Sequence, residues 1–290
     1  MNVDPGASED RISDAKNIYR GTVDSFSEQW VRFDQSSLSV TEKQKIFDQY
    51  FENFPWNELP ANAEGFDMGC GTGRWATLVA PRVGKLNCVD AAPGALEVAK
   101  KNLAAFNNVN FVLSSVDKVP LKAGSQDFGY ALGVFHYIPD ALSAFKTCVS
   151  LLKPGAPFLV YLYYNFDNRP FWFRSIWKVS DVFRRAISSL RPGPKTLVSD
   201  SIAALVYWPI AKICRVAEMA GLNLTNMPLY AYRDKSFYTM RTDSRDRFGS
   251  PMEHRFSRNE VSDMMLEAGL VNIVFCERIP YWCAVGRKKV

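Results

Sequence analysis

The chain has 290 residues, 47% hydrophobic and 22% charged, with a formal charge of +5, the composition of an ordinary globular protein and not of a fibrous or disordered one. That length holds one large domain or a domain carrying an insertion. The charge is uneven. Residues 165–250 hold 14 Lys and Arg against 7 Asp and Glu, which suits an anionic ligand group or a membrane surface better than general nucleic-acid binding, and equally suits a solvated helical face.

In chain order, residues 1–60 read as an N-terminal helical cap. The first residues, MNVDPGASEDR, are polar and acidic without an apolar core, so no signal peptide is expected. Glu64 to Met68 is the first strand, Gly73 to Ala80 opens a helix and Lys85 to Val89 is the second strand. Pro93 to Phe106 is a helix with proline in its first turn. Strands follow at Val109 to Leu113 and Phe128 to Leu132, then a helix from Asp140 to Leu152 ended by Lys-Pro-Gly, and a fifth strand from Phe158 to Tyr163. Strands alternating with helical periodicity predict an α/β domain with a doubly wound, mostly parallel sheet.

After Tyr164 the alternation stops, and residues 165–256 read as an inserted, mostly helical lid with Arg191 to Pro194 as an internal joint. Its first half places Trp172, Phe173, Ile176, Phe183 and Ile187 on one helical face and Arg174, Lys178, Asp181 and Arg185 opposite. The longest apolar stretch, around Ile202 to Ile213, is interrupted by Pro209 and reads as too short to span a bilayer. The core resumes at 257–290 with a capping box, Ser257 and Glu260, before a helix, and strands at Val271 to Cys276 and Tyr281 to Gly286 bring the sheet to seven. The six cysteines, Cys70, Cys88, Cys148, Cys214, Cys276 and Cys283, form no C-x-x-C pair; reduced thiols and a cytoplasmic location are expected.

The strongest local signal is FDMGCGTGR, residues 66–74: an apolar strand runs into glycines at alternate positions and then into a helix. Glycines there let a ligand approach the backbone where helix N–H groups point outward. Arg74 stands where G-x-G-x-x-G would place its third glycine, which weighs against a dinucleotide. The segment resembles the glycine-rich motif of class I S-adenosylmethionine-dependent methyltransferases, and within that family the chain looks most like bacterial small-molecule enzymes.

The resemblance covers residues 60–164 and, by architecture, 257–287. It implies that Asp67, Gly69, Cys70, Gly71 and Gly73 surround the amino-acid part and sulfonium of the cofactor, and that Asp90, with Ala91 beside it, receives the ribose hydroxyls. It further implies that Ser115 and Val116 meet the adenine, the customary acid of that segment being replaced, and that Gly133 lies on the methyl side. The loop after the fourth strand has neither the D/N/S-P-P-Y/F nor the Pro-Cys motif of nucleic-acid methyltransferases, so a small-molecule acceptor is expected and a nucleic-acid partner is not.

Methyl transfer from a sulfonium is an in-line displacement that asks the protein for alignment and exclusion of water. A base helps when the acceptor is a hydroxyl. The candidates are His136 and Tyr137 past the fourth strand and His254 before the Ser257 helix; each also reads as an ordinary packing or loop residue. No metal-ligand spacing surrounds them. For the acceptor, Tyr164 and the run holding Tyr232, Arg233, Tyr238, Arg241 and Arg245 suggest binding of an anionic or sugar-like group. The same arginines read equally as partners of Asp234, Asp243 and Asp246. Two alternatives stay open, a peripheral membrane methyltransferase acting on a lipid or glycolipid and a noncatalytic cofactor-binding regulator; oligomeric state is not legible.

Overall fold

Glu64–Met68 (β1), Lys85–Asp90 (β2), Val109–Leu113 (β3), Phe128–Leu132 (β4), Pro157–Tyr161 (β5), Leu270–Phe275 (β6) and Cys283–Lys288 (β7) form one seven-stranded sheet in the order β3-β2-β1-β4-β5-β7-β6. This computed structural model describes residues 15–35 and 37–290, so the N-terminal stretch expected to lack a signal peptide lies outside the described residues. β1 to β5 run parallel, whereas β7 is antiparallel to both β5 and β6. The strand order reverses between β1 and β4. In open sheets of this kind ligands bind at such a point, beyond the carboxyl ends of the strands.

The helices are Arg20–Arg32 (α1), Val40–Tyr50 (α2), Ala76–Val79 (α3), Pro93–Asn102 (α4), Ala141–Leu151 (α5), Phe171–Ser188 (α6), Pro192–Met219 (α7), Phe237–Gly249 (α8) and Arg258–Glu267 (α9). The helix expected from Gly73 begins only at Ala76, because Gly73 takes a left-handed φ of 73° that no α-helix continues. Asp140 caps α5 by accepting the Ser143 N–H at 2.9 Å, and the Ser257–Glu260 capping box closes in both directions at α9. β5 ends at Tyr161 because its pairing with β7 ends at Cys283.

Contacts divide the chain into two units. Of the described residues, the first takes in 15–35, Gln44–Asn165 and His254–Val290, and the second 37–43 and Phe166–Glu253. In the first, apolar side chains fill both faces of the sheet: Phe66, Phe135, Phe145 and Phe158 on one, Phe47, Phe51, Trp75 and Phe128 on the other. β1 and β4 exchange a reciprocal contact. Gly65 pairs with Phe128 and Phe66 with Gly129, and a Cβ on either glycine would fall within 2.4 Å of the facing ring.

The second unit packs Tyr207 and Ala211 of α7 against Met240 and Phe248 of α8. Asp200 holds it together, accepting from Arg241 at 2.7 Å and from two nitrogens of Arg245 at 2.8 Å. Two expectations are corrected here. α7 is one continuous helix of 28 residues, long and apolar enough by length and composition to cross a membrane. Pro209 does not end it: a π-helical segment, Ala203–Tyr207, precedes the proline and leads into Trp208–Met219. In α6, Phe173 and Ile187 turn inward while Trp172, Ile176 and Phe183 face out.

Gly129→Ala is expected to overpack the β1–β4 seam and cost about 1–3 kcal/mol. Urea unfolding checks this as a lower midpoint with an unchanged slope.

Candidate active site

The glycine segment leaves β1 as a bend of left-handed residues, with φ of 75° at Gly69, 54° at Gly71 and 73° at Gly73. Two of these glycines are closed in. A Cβ on Gly69 would lie 2.4 Å from Val134 Cγ2 and one on Gly73 2.7 Å from Leu103 Cδ1. Gly71 is the open one, its nearest neighbour being the Trp30 indole nitrogen at 3.6 Å from that position. Gly133, with φ of 79° after β4, has no atom within 4 Å of its Cβ position. At Gly71 and Gly133 the backbone is therefore open to close approach of a ligand.

Asp90 ends β2 beside this bend. One carboxylate oxygen accepts the Gly71 N–H and the other the Ala92 N–H, both at 2.8 Å. A carboxylate offers about four lone-pair sites, so acceptor capacity remains for a ribose hydroxyl. Desolvation pushes the Asp90 pKa up, and the N–H groups of Ala92, Gly71 and Ala91 oppose that rise. Asp67, the last but one residue of β1, is buried, and Oδ2 has no hydrogen-bond partner. Burial pushes its carboxyl up to about 8, with the Tyr130 phenol opposing and Asp90 adding to the shift. An orphaned buried acid beneath a bare glycine bend fits a ligand carrying a hydrogen-bond donor or positive charge. Cys70 turns its side chain into the core beside Cys88 and lends only backbone to the rim.

Ser115 is buried, but its hydroxyl donates to Asp117 at 2.7 Å, and Val116 is a core residue. Asp117 supplies an acid two residues beyond the place where the resemblance puts one. Its Oδ2 accepts the backbone N–H groups of Lys16 at 3.0 Å and Asn17 at 3.5 Å. The same N-terminal segment continues along the strand ends. Asn17 exchanges two hydrogen bonds with the backbone of Asp140, Phe26 meets Tyr137 edge-on at 4.9 Å, and Ser27 accepts the Gly94 N–H at 2.9 Å. Sequence reasoning missed this cover. Its one local signal is the i,i+4 aromatic pair Phe26 and Trp30 in α1.

His136, Tyr137, Tyr163 and Arg255 gather past β4 and β5. The His136 ring is fully buried and stacks on Tyr163 at 3.8 Å. Its Nδ1 accepts the Tyr163 N–H at 3.3 Å, which assigns the ring proton to Nε2, an atom without a partner. Burial, with Arg255 and His254 nearby, holds the pKa well below the usual range. The Nδ1 lone pair of His136 is thus already occupied, and burial disfavours its imidazolium form. The backbone N–H of His254 donates to the His136 carbonyl at 2.8 Å, while its side chain is exposed. The Tyr137 and Tyr163 hydroxyls are 3.3 Å apart, and Arg255 lies over the Tyr163 ring.

Side chains alternate along the extended segment after β5. Tyr163 reaches the His136 cluster, whereas Tyr164 packs with Tyr281 and Trp282. The basic run is likewise turned inward within its own unit. Arg241 and Arg245 bind Asp200, Arg233 binds Glu218 and Tyr232 packs on Tyr207. Tyr238 sits in the first turn of α8, its carbonyl accepting the Thr242 hydroxyl. The acids used are Asp200 and Glu218, distant in sequence, with Asp234 adding a looser contact to Arg233 at 3.7 Å.

Residues 66–160 match the family described as a methyltransferase domain. Over 107 residues the chain is 31% identical to a sterol 4-C-methyltransferase of Caenorhabditis elegans, covering 36% of this chain and 32% of that protein. Over 98 residues it is 32% identical to a ubiquinone biosynthesis O-methyltransferase of Xanthomonas axonopodis pv. citri, covering 33% and 41%. The matches thus span about a third to two fifths of these relatives. Among solved structures, a chain from the complex of the Haloferax volcanii Trm112 methyltransferase activator with a methyltransferase shares the fold, with a TM-score of 0.51 at 13% identity, over 91% of this chain and 98% of that one. Residues 66–160 are a methyltransferase domain of the class I, S-adenosylmethionine-dependent type.

The folded pKa of Asp67 lies above its ordinary 3.8. The folded protein therefore holds a proton that the unfolded chain releases, and the stability this carboxyl contributes falls as pH rises from about 4 to about 8. Asp67→Asn is expected to raise the Tm of ligand-free protein at about pH 8.5 and to change it little at about pH 4.5; equal shifts at both would contradict the assignment.

Proposed function

We propose that this chain transfers the methyl group of S-adenosylmethionine to a small-molecule acceptor. The observation that carries the reading is the junction of the left-handed glycine bend with Asp90, whose carboxylate holds the Gly71 N–H and keeps lone pairs for a ribose. When bound, the cofactor supplies a methyl carbon already activated by its sulfonium. The protein's work is then to hold, orient and dry the reacting groups.

Asp90 binds the ribose hydroxyls. Gly71 and Gly133 give the ligand access to the backbone, and Asp67 receives the positively charged amino-acid end. Asp117 is tied to the N-terminal segment and closes the adenine side through Ser115. On the acceptor side, Tyr137 and Tyr163 offer hydroxyls, and the His136 Nε2–H donates a hydrogen bond without taking a proton. Arg255, which lies over the Tyr163 ring, is assigned to an anionic handle on the acceptor. The sterol and ubiquinone-biosynthesis relatives support a small acceptor over a macromolecular one.

Calorimetric titration of the ligand-free chain with S-adenosylmethionine and with S-adenosylhomocysteine is expected to show one site for each. Asp90→Asn removes a charge-assisted acceptor and is expected to weaken both by about 100-fold or more. Absence of heat with both ligands on folded parent protein would sink the reading, and undiminished binding by Asp90→Asn would remove Asp90 from it.

A further inference from the structure

Helix α6 carries apolar side chains on its outer arc as well as on its inner side. Taken at about 100° per residue, its inward side carries Phe173, Trp177, Ser180, Arg184 and Ile187. Arg184 is only 4% exposed and is held by Asp181 at 2.6 Å and by the Ser250 carbonyl at 3.0 Å. The outward side is an arc about 140° wide formed by Phe171, Trp172, Ile176, Val179, Val182 and Phe183. Phe171 is 75% exposed, Val182 68% and Phe183 61%. The arc contains no acid, since Asp181, the only acid of α6, lies on the inner edge and is paired with Arg184 and Arg185. Arg174, Lys178 and Arg185 form a row along one margin and are all exposed.

We infer that α6 docks the chain on an anionic lipid bilayer, lying in the interface with this arc among the acyl chains and its basic margin among the headgroups. Aromatic and branched side chains on one arc beside Lys and Arg are the pattern that holds a helix in that plane. The charge is complementary to an anionic surface, and the segment of residues 165–250 has twice as many basic as acidic residues. A second copy of the chain is a poorer occupant. A two-fold contact of this face with itself brings like surfaces together and sets one basic row near the other at a desolvated seam. The outward side chains of α7, among them Leu205, Ile213, Val216 and Met219, extend the apolar surface of the same unit. α7 does not span the bilayer in this assignment, because Ala203, Tyr207, Ala211 and Cys214 are buried on its inner side and Tyr207 and Ala211 form the unit's core with Met240 and Phe248. The inference stands apart from the methyl-transfer reading, since vesicle binding reports on α6 and ligand heat on Asp90.

The test is co-sedimentation of the full chain with phosphatidylcholine vesicles, with and without phosphatidylglycerol. Binding is expected with the anionic vesicles, weaker with phosphatidylcholine alone and weaker in about 0.5 M salt. Val179→Asp with Phe183→Asp is expected to abolish binding while leaving the melting temperature near that of the parent, both side chains being exposed. Arg174→Gln with Lys178→Gln is expected to weaken it about thirtyfold, at roughly a factor of five per charge. The inference is overturned if parent protein does not bind anionic vesicles, or if neither variant reduces binding. It is equally overturned if light scattering finds a stable dimer that the Val179→Asp, Phe183→Asp variant dissociates and that leaves vesicles unbound.

Discussion

The Asp90 carboxylate joins two strand ends, one oxygen holding the Gly71 N–H beyond β1 and the other the Ala92 N–H of its own turn, and the geometry of the cofactor rim hangs on that joint. β1 and β2 are paired in register up to Met68 and Val89, beyond which backbone pairing gives way. The Gly69 and Cys70 N–H groups fold back onto the Val89 carbonyl, the Gly71 N–H is taken by Asp90, and the chain reaches α3 only by passing through three left-handed residues. Side chains at Gly69 and Gly73 are forbidden by Val134 and Leu103 as well as by φ. Gly71 shares the left-handed φ, but its nearest neighbour, the Trp30 indole, lies 3.6 Å from its Cβ position and leaves it uncrowded.

What closes this rim comes from the start of the chain. Lys16 and Asn17 bind beyond β3, Asn17 beyond β4, Ser27 beyond β2, and Trp30 stands beside the bend beyond β1. One segment of fifteen residues thus touches the loops after four parallel strands. Asn102 reinforces it from the end of α4, donating to the carbonyls of both Asp34 and Thr72. Buried polar groups at strand ends need partners, and here several find them in the cover, so its order and the order of the glycine loop are linked.

The sheet and the glycine bend were legible because their signals are local: an apolar run, alternate glycines, a proline in a first turn, a capping box four residues long. The cover was not, since Asn17 and Asp140 are 123 residues apart and nothing in either neighbourhood names the other. Residue parity explains why Tyr163 stacks on His136 while Tyr164 packs with Tyr281 and Trp282, as a one-residue step past the end of β5 moves a side chain to the opposite side. For the arginines, charge density in the sequence pointed to a ligand. Their acid, Asp200, lies 41 residues from Arg241 and 45 from Arg245 and is invisible to any window. Asp117 was passed over because the resemblance directs attention to position 115, while a turn of 3-10 helix carries the acid two residues on.

The second unit departs most from what binary patterning expects, and one buried charge explains much of that. An arginine inside a protein is tolerated only when its hydrogen bonds are met, and Arg184 meets them with Asp181 one turn earlier and the Ser250 carbonyl. Fixing Arg184 inward fixes the rotation of α6, and with it the outward aim of Phe183, Val179 and Ile176. Asp200, Arg241 and Arg245 act alike between α7 and α8, which leaves Tyr207, Ala211, Met240 and Phe248 as a small apolar core. Ion pairs within and bulky apolar side chains without is an arrangement that water disfavours by roughly 25 cal/mol for each Å² of apolar surface left bare. Sequences that keep such a face keep it for something that covers it, so the basic block first visible as an imbalance of composition is read through the helix whose rotation those inward charges set.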